Sequence, residues 1–438
     1  MPIKKIGRGI YQNLMKNMKK ILVISRGAWN NNNSTGNTLS NIFVPSHDFE
    51  FYNVYLRSEL PGDNPCKLIY QITESGLISS LKFFKQTGKT LMSTPSQADA
   101  KREEILYSKF QNMNLYSLWF ARELLWFCGH WRKNLRRHIR MIKPDIIFMP
   151  VFGCVYAHRV LAVIQKESNA KVVLFHADDH YTLNQYNLSP LFWLYRFWLR
   201  AWIRYSVRNS VLNYCISDLQ ISDYDKCFNI HCHLLQKFGN FSGSMPSYNI
   251  ENPISIVFTG NMECGRWKSL AKVADAVDEI NSINGGSCTF DIYSATKLTS
   301  EESRLFDNKK GVILRGFIQS TDIFNIQSKA DILVHVESFD KRDMLRVRQS
   351  FSTKIVDYLS KGRCILAVGP STVASIQYFE KYDSGFVINN IDEITPKLKK
   401  LICDSSLMQK FAKKAWACGY KNNDCSKRMD FFQTLKEL

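Results

Sequence analysis

One stretch decides the fold of this chain: Phe351-Ser-Thr-Lys-Ile-Val-Asp-Tyr-Leu-Ser-Lys-Gly-Arg-Cys-Ile-Leu-Ala-Val-Gly369. Ser352 and Thr353 are residue types that favour the N-cap of a helix, and Gly362 favours its end. The unbroken apolar run Cys364–Val368 is typical of a parallel strand that is buried on both faces. The stretch therefore predicts a helix followed by a central strand, the repeating unit of an α/β fold.

The same stretch carries the features of a ligand site. Free backbone amides in the first turn of a helix bind anions. Leu359 follows Val356 by three positions and Ile355 by four, so these side chains face the core, whereas Asp357 lies off that stripe. Our interpretation is a site for an anionic ligand. The alternative is an ordinary helix–strand unit with a solvated acid.

The size and composition of the chain indicate a globular protein. Its 438 residues are enough for two domains, each with its own core. Charges interrupt every apolar run before it reaches the roughly twenty residues of a membrane span. The basic start is followed by Gly7-Arg8-Gly9 and not by an apolar core, so a secretory leader is not expected. These features predict a cytoplasmic protein.

The formal net charge of +19 predicts an anionic partner. No signature of a nucleic-acid-binding module is present, so nucleic acid is not expected. Basic residues are densest in 131–143, 196–208 and 341–348, and the stretch Leu191–Arg204 mixes them with aromatic residues. That mixture predicts association with an anionic membrane surface. The alternative is a buried helix with a basic outer edge.

Neither the cysteines nor the paired acids predict a metal site. The twelve cysteines include no Cys-x-x-Cys pair, and the spacing of the group Cys227, His231, Cys232 and His233 matches no common zinc site. Asp223 and Asp225 are one residue apart, but they lie in a predicted helix with no strand before it. We expect neither a metal nor another cofactor.

Alternating strands and helices predict an α/β protein with two Rossmann-like, doubly wound parallel-sheet domains that face each other across a cleft. Turn-forming residues are concentrated at 239–253, which predicts a linker there. The Gly-x-Gly-x-x-Gly pattern is absent, so a dinucleotide cofactor is not supported. The predicted segments are a basic N-terminal extension (1–17), a first domain (18–238), the linker (239–253), a second domain (254–429) and a final helix (430–438).

The stretch 351–369 resembles the donor-binding segment of GT-B glycosyltransferases, particularly the family 4 type. The resemblance extends to most of the chain and implies that the second domain binds a nucleotide sugar, the first domain binds the acceptor, and the final helix crosses back to the first domain. It implies that the amides near Ser352, Thr353 and Lys354 hold the diphosphate. Asp357 takes the place of the family's glutamate, which binds the ribose, and is one methylene shorter.

Other motifs of that family have counterparts in the second domain. The glycine turn at Gly260, followed by Arg266 and Lys268, implies binding of the donor phosphates, and Arg315 begins the turn that passes near the base. Glu337 takes the place of the first acid of a pair that grips the donor sugar. The twenty positions between Glu337 and Asp357 exceed the family spacing. We interpret the insertion as a longer loop that carries Lys341, Arg342, Arg346 and Arg348 toward the phosphates, and the alternative is a solvated basic helix face.

In the first domain, four titratable residues follow a predicted strand: His176, Asp178, Asp179 and His180. A histidine and a carboxylate at the edge of a cleft can orient an acceptor hydroxyl or take its proton. We predict His176 or Asp178 in that catalytic role and Asp179 on the acceptor side. The alternative is a structural histidine. The first glycine turn places Gly36 and Asn37 on the acceptor side as well.

These patterns predict a glycosyltransferase that moves a sugar from a nucleoside diphosphate to a hydroxyl of a lipid-linked or polysaccharide acceptor. The resemblance implies a retaining reaction in bacterial capsule, O-antigen or exopolysaccharide synthesis. We expect a metal-independent reaction because helix amides and basic side chains can take the place of an ion, and the mixture of basic and aromatic residues predicts a location at the inner face of the plasma membrane. The alternatives are a non-catalytic GT-B-like binding protein and a sugar-nucleotide 2-epimerase.

Overall fold

The structure is a computed structural model that describes residues 18–30, 34–91 and 116–438. The basic extension predicted for residues 1–17 lies outside the described residues.

The first sheet has eight strands in the order β4-β3-β2-β1-β5-β6-β7-β8, all parallel except the pair β3 and β4. Its strands are β1 (Lys19–Ser25), β2 (Phe49–Tyr55), β3 (Cys66–Gln71), β4 (Lys89–Leu91), β5 (Ile146–Pro150), β6 (Lys171–His176), β7 (Leu212–Cys215) and β8 (His233–Leu234).

Seven described helices accompany this sheet. They are α1 (Ser34–Ile42), α2 (Glu74–Phe83), α3 (Tyr116–Cys128), α4 (Arg132–Ile142), α5 (Val155–Ser168), α6 (Pro190–Arg208) and α7 (Asp218–Phe228). Two of them show why the sequence folds locally as it does. Pro190 occupies the first position of α6, where no backbone N–H is required. Ser217 caps α7 by accepting a hydrogen bond from the amide of Gln220.

The second sheet has six parallel strands in the order β11-β10-β9-β12-β13-β14. Its strands are β9 (Ile254–Thr259), β10 (Cys288–Tyr293), β11 (Val312–Gly316), β12 (Ile332–Val336), β13 (Cys364–Val368) and β14 (Phe386–Ile388). The two parallel sheets confirm the predicted fold class.

The helices of the second half surround this sheet, and a short 3₁₀ turn, Ile391–Glu393, precedes the third last of them. They are α8 (Arg266–Asn284), α9 (Ser300–Arg304), α10 (Ser320–Lys329), α11 (Lys341–Val347), α12 (Lys354–Ser360), α13 (Ala374–Tyr382), α14 (Ile394–Ile402), α15 (Ser405–Asn423) and α16 (Lys427–Glu437). The insertion that we interpreted as a loop therefore forms the helix α11.

The final helix packs against the first sheet. The ring of Phe431 lies 5.9 Å from that of Phe43 and 5.4 Å from that of Tyr214, and Phe432 lies 5.4 Å from Phe49. These residues belong to a hydrophobic cluster that also contains Phe351 of the second half. The last helix thus joins both sheets to one shared core.

Ion pairs also connect the two halves. Lys381 at the end of α13 pairs with Asp218 at 2.7 Å, and Arg348 pairs with Asp223 at 2.5 Å. Both acids lie on α7, so this helix connects the first half of the chain to the second. None of the helices in the described part of the chain combines the length and the apolar character needed to cross a membrane.

Candidate functional site in the cleft between the two sheets

A cleft of about 950 Å³ lies where the carboxyl ends of strands from both sheets meet. The first sheet contributes residues that follow β1, β5 and β6, and the second contributes residues that follow β9 and β12. Ligands of open α/β sheets bind at this edge because the strand ends leave crevices there. The cleft is therefore the candidate functional site.

A lysine amine lies on the second-domain side of the cleft. Lys354 begins α12, and its Nζ donates a hydrogen bond to the carbonyl of Thr259 at 3.1 Å. Burial, followed by the nearby charge of Arg266, lowers the pKa of Lys354 to about 8. Among the described residues, no carboxylate lies within ion-pair distance of this amine. An anionic ligand would supply the missing negative charge.

Gly260 leaves the space that this amine occupies. A Cβ atom built on Gly260 would lie 1.8 Å from Lys354 Nζ, and the φ angle of Gly260 is +153°. Any larger residue would force the amine to move. Gly260 does not itself line the cleft, so its role is to admit the lysine.

Arg266 and Glu337 form an ion pair in the wall beside Lys354. The Nε of Arg266 lies 3.0 Å from one carboxylate oxygen of Glu337, and its Nη2 lies 3.2 Å from the other. Burial lowers the pKa of Arg266, the Glu337 carboxylate raises it, and the net shift is upward. Ser375 also donates to Glu337, at 3.3 Å, and burial lowers the pKa of neighbouring His335 to about 3. The predicted acid therefore lines the cleft, where an arginine holds its side chain in place.

Ser352 and Thr353 line the cleft as well. Thr353 is the N-cap residue of α12, but it has helical backbone angles and makes no capping hydrogen bond through its side chain. Thr353 thus occupies the N-cap position that its residue type favours, and both residues lie at the start of α12 beside Lys354.

Besides Gly260, three predicted donor-binding residues do not line the cleft: Lys268, Arg315 and Asp357. Asp357 accepts two hydrogen bonds from Lys237, at 2.6 and 2.8 Å, at the end of the first domain. Lys268 pairs with Asp340 at the surface. A residue of opposite charge engages each side chain in this structure, so the donor-binding roles of Asp357 and Lys268 stay predictions.

Arg315 lies on the edge strand β11 and pairs with Asp291 on the neighbouring strand at 2.7 Å. The cleft lies at the carboxyl ends of β9 and β12, further toward the middle of the sheet, and Arg315 is not among the residues that line it. The predicted contact of Arg315 with a base stays a prediction.

His176 is fully buried behind the first-domain wall. Its Nε2 is 3.2 Å from Oδ1 of Asn213, and its ring contacts those of Tyr224 and Phe228 on α7. Burial lowers its pKa to about 4. The side chain does not line the cleft, and its position is that of the structural histidine that the sequence left as the alternative.

Asp178 and Asp179 both line the cleft, but their side chains have different partners. Asp178 accepts a hydrogen bond from the hydroxyl of Ser350 across the cleft, at 2.9 Å. Asp179 pairs with buried Arg196 at 3.2 Å and accepts a hydrogen bond from the amide of Thr182 at 2.7 Å. Asp178 is therefore the carboxylate available to a ligand, whereas Asp179 holds the loop that follows β6.

Gly36 and Asn37 lie on α1, but neither lines the cleft. Gly36 is buried, and a Cβ atom built on it would lie 2.1 Å from the carbonyl oxygen of Asn30, while Asn37 is exposed. Their neighbours Thr35 and Thr38 line the cleft in their place. The glycine therefore permits close packing at this turn.

Several cleft residues were not among the predicted site residues. His180 lines the cleft, and burial lowers its pKa. The sequence signal that could have identified His180 was its position in the group of titratable residues after β6. Arg346, by contrast, was one of the four cations that the insertion was predicted to carry toward the phosphates, and it lines the cleft. Trp119 and Phe192 lie on helices far apart in the sequence, and no local pattern indicated that they share the cleft. Within the described residues, no group of three or more histidine, cysteine, aspartate or glutamate side chains could hold a metal ion.

Solved structures of other proteins resemble this fold, although sequence comparisons found no match. No family model matches the chain, and no curated protein matches its sequence. Anabaena HepE in complex with UDP and glucose superposes with a TM-score of 0.60 and 14% identity, over 96% of this chain and 100% of its own.

Two further solved structures are similar over nearly the whole chain. Sucrose-phosphate synthase from Thermosynechococcus elongatus has a TM-score of 0.62 and 9% identity, over 96% of this chain and 98% of its own. A mutant of S. aureus TarM in complex with fondaparinux, α-GlcNAc-glycerol and UDP has a TM-score of 0.59 and 11% identity, over 96% and 100%. These likenesses show that the chain has the GT-B fold.

Proposed function

We propose that the protein is a metal-independent glycosyltransferase that moves a sugar from a nucleoside diphosphate to a hydroxyl of a glycan or lipid-linked acceptor. The observation that carries the proposal is the amine of Lys354, which lies in the cleft with a lowered pKa and a carbonyl as its partner. The similar structures of HepE and TarM were solved with UDP, which supports a uridine nucleotide as the first ligand to test.

The charges in the cleft suit a diphosphate leaving group. As the bond from the sugar to the diphosphate breaks, negative charge grows on the diphosphate, and preorganised cations stabilise it. Lys354 and Arg346 provide such cations on the second-domain side, with Arg266 beside them. The ammonium of Lys354 is poorly solvated, so its attraction to an anion exceeds that of an exposed lysine.

Two carboxylates are placed to bind hydroxyl groups. Glu337 is held by Arg266, and its oxygens keep lone pairs for hydroxyls of the donor sugar. Asp178 lies on the opposite domain, where it can orient the acceptor hydroxyl. The resemblance to the family 4 type supports a retaining outcome and a role in capsule, O-antigen or exopolysaccharide synthesis.

The non-catalytic alternative is favoured by one observation. Asp357, the expected ribose-binding acid, is engaged by Lys237 and does not line the cleft. Release of UDP from a panel of UDP-sugars by the purified protein would exclude a purely binding role. Analysis of the sugar product in the absence of acceptor separates transfer from 2-epimerisation.

The first domain carries a surface that supports association with the inner face of a membrane. The helices α3 and α6 expose large apolar side chains, and the adjacent helix α4 exposes basic ones. The apolar residues are Leu124, Phe127, Leu191, Leu194, Phe197, Trp198 and Tyr205. The basic residues are Lys133, Arg136, Arg137 and Arg140. Apolar insertion together with basic residues at the headgroups binds anionic bilayers.

Flotation with phosphatidylglycerol vesicles tests this surface. We expect the wild type to float, and a Leu194→Glu/Phe197→Glu variant to stay in the bottom fraction. Met429→Glu is the control because Met429 is exposed on α16, away from this surface. A wild type that stays entirely in the bottom fraction would remove the membrane from the proposal.

Isothermal titration with UDP and GDP tests the donor site. We expect binding by the wild type and a large loss in Lys354→Met. Lys361→Met is a matched control because burial also lowers the pKa of Lys361 to about 8, but its Nζ lies over the ring of Phe324 outside the cleft. Equal affinities in the wild type and Lys354→Met would contradict the proposed site.

A further inference from the structure

An aromatic pair lies on the first-domain wall of the cleft. Trp119 on α3 and Phe192 on α6 both line the cleft, and both side chains are partly exposed. They belong to the domain opposite Lys354, and the interactions with the donor proposed above do not use them. Partly exposed aromatic rings inside a polar cleft are available for contact with a ligand.

The rings around Trp119 are all tilted against it. Trp119 meets Tyr116 at an interplanar angle of 88°, Phe192 at 58° and Tyr195 at 61°. Among the rings of the described residues, none is stacked in parallel on Trp119. Buried Trp126 provides the contrast, since it stacks on a tyrosine at 4.6 Å and 9°. The indole of Trp119 thus lacks the parallel ring that covers Trp126.

A buried carboxylate holds this aromatic group in place. The hydroxyl of Tyr195 donates to Glu123 at 2.8 Å, and the amide of Val155 donates to the same oxygen at 2.7 Å. Glu123 lies one helical turn after Trp119 on α3, so the helix carrying the indole is tied to both α5 and α6. A preorganised aromatic surface binds a ligand ring at a lower entropic cost.

We propose that Trp119 and Phe192 form a platform on which a saccharide ring of the acceptor packs. The electron-rich face of an aromatic ring attracts the positively polarised C–H bonds on the flat face of a pyranose. Gln185 lines the same cleft, so a polar side chain is present for the hydroxyls of the sugar ring. The acceptor is therefore a glycan, and the sugar that packs on the platform lies on the side of the cleft facing away from Lys354. This inference rests on the proposed function and names the acceptor class of that same site.

Saturation-transfer-difference NMR with methyl glycosides tests the platform. The probes are the methyl glycosides of glucose, galactose, mannose and N-acetylglucosamine, each added to the full chain with UDP present. We expect ring-proton signals from at least one glycoside. The signals should fall at least about fivefold in Trp119→Ala and less in Trp119→Phe, which keeps a stacking face. Phe192→Ala should reduce them as well.

Phe197→Ala is the matched control. Phe197 lies on the same helix as Phe192, but 56% of its side chain is exposed and it does not line the cleft. Signals that survive Trp119→Ala, or that fall equally in Phe197→Ala, overturn the platform. UDP affinity measured on the same samples separates the two proposals. UDP binding without any glycoside signal overturns the platform alone, whereas a wild type that binds no UDP overturns the donor site and the platform with it. If Trp119→Ala does not fold, Trp119→Phe and Phe192→Ala decide the outcome.

Discussion

Replacing Lys354 by methionine should change stability and binding in opposite directions. The pKa of its ammonium is lowered from 10.5 to about 8 by burial and by Arg266. At ~1.4 kcal/mol for each tenfold change in proton affinity, the charge destabilises the folded chain by about 3 kcal/mol. Methionine removes that charge and the hydrogen bond to Thr259, which contributes about 1 kcal/mol. We therefore expect the variant to be about 2 kcal/mol more stable at pH 7.

The pH dependence of the stability difference identifies its cause. The unfolded ammonium binds its proton more tightly than the folded one, so wild-type stability rises as the pH rises from about 8 to 10.5. The advantage of Lys354→Met should therefore be full below pH 8 and disappear above about pH 10.5. Urea unfolding of both proteins at pH 7 and at pH 9.5 measures it.

Binding of UDP should weaken in the same variant. A hydrogen bond from a charged donor contributes about 1.5–3 kcal/mol, so the affinity should fall roughly 10- to 150-fold. Lys361→Met should gain stability for the same reason, since the pKa of Lys361 is also lowered, and should keep its affinity for UDP. A destabilised Lys354→Met protein, or one with unchanged affinity, would refute the reasoning.

Three further predictions concern the cleft and the shared core. Gly260→Ala should weaken UDP binding at least about tenfold by titration, because its Cβ would meet the Lys354 amine, and unchanged affinity would contradict this. Burial lowers the pKa of His158 to about 3 and of His176 to about 4, so the unfolded chain binds more protons below pH 6.5. Stability should then fall by about 2 kcal/mol per histidine between pH 6.5 and 5 in urea unfolding, and a flat profile would contradict it. Phe431→Ala should destabilise the protein by about 3–5 kcal/mol because it removes a buried ring from the shared core. The control Met429→Ala should cost under about 0.5 kcal/mol, since Met429 is 65% exposed on the same helix. Equal losses of stability in the two variants would contradict the packing.

The alternation of strands and helices was predictable from the sequence because it depends on local periodicity. The run Cys364–Val368 is fully buried and parallel on both sides, as its lack of polar residues indicated. The residues around 351–354 line the cleft because that helix begins at the carboxyl edge of the sheet. In the stretch 351–369, the local sequence pattern therefore predicted the helix, the strand and their position at the cleft.

The partners of charged residues were not predictable because they are distant in the sequence. Asp357 has the residue type and the position of a ligand-binding acid, but Lys237, 120 positions earlier, reaches it first. His176 ends its strand with its side chain toward α7, where two aromatic rings contact it, and Asp178 lies beyond the strand and faces the cleft. A shift of two residues after a strand thus decides which of the two meets a ligand.

The partners of the charged residues in the insertion at 339–349 were not predictable from the sequence either. Its charges suggested either a loop or a solvated helix face, and the structure has a short helix from which Arg346 alone of the four predicted cations lines the cleft. Arg348 pairs with Asp223 of the first domain instead. The pairing depends on the distance between the two domains, which no local pattern encodes.

A crystal of the protein soaked with UDP tests the central claim most directly. The account predicts diphosphate oxygens within about 3 Å of Lys354 Nζ, beside Thr353 and Arg266, in the cleft between the two sheets. Nucleotide bound elsewhere, or a cleft that stays empty at saturating UDP, would contradict it.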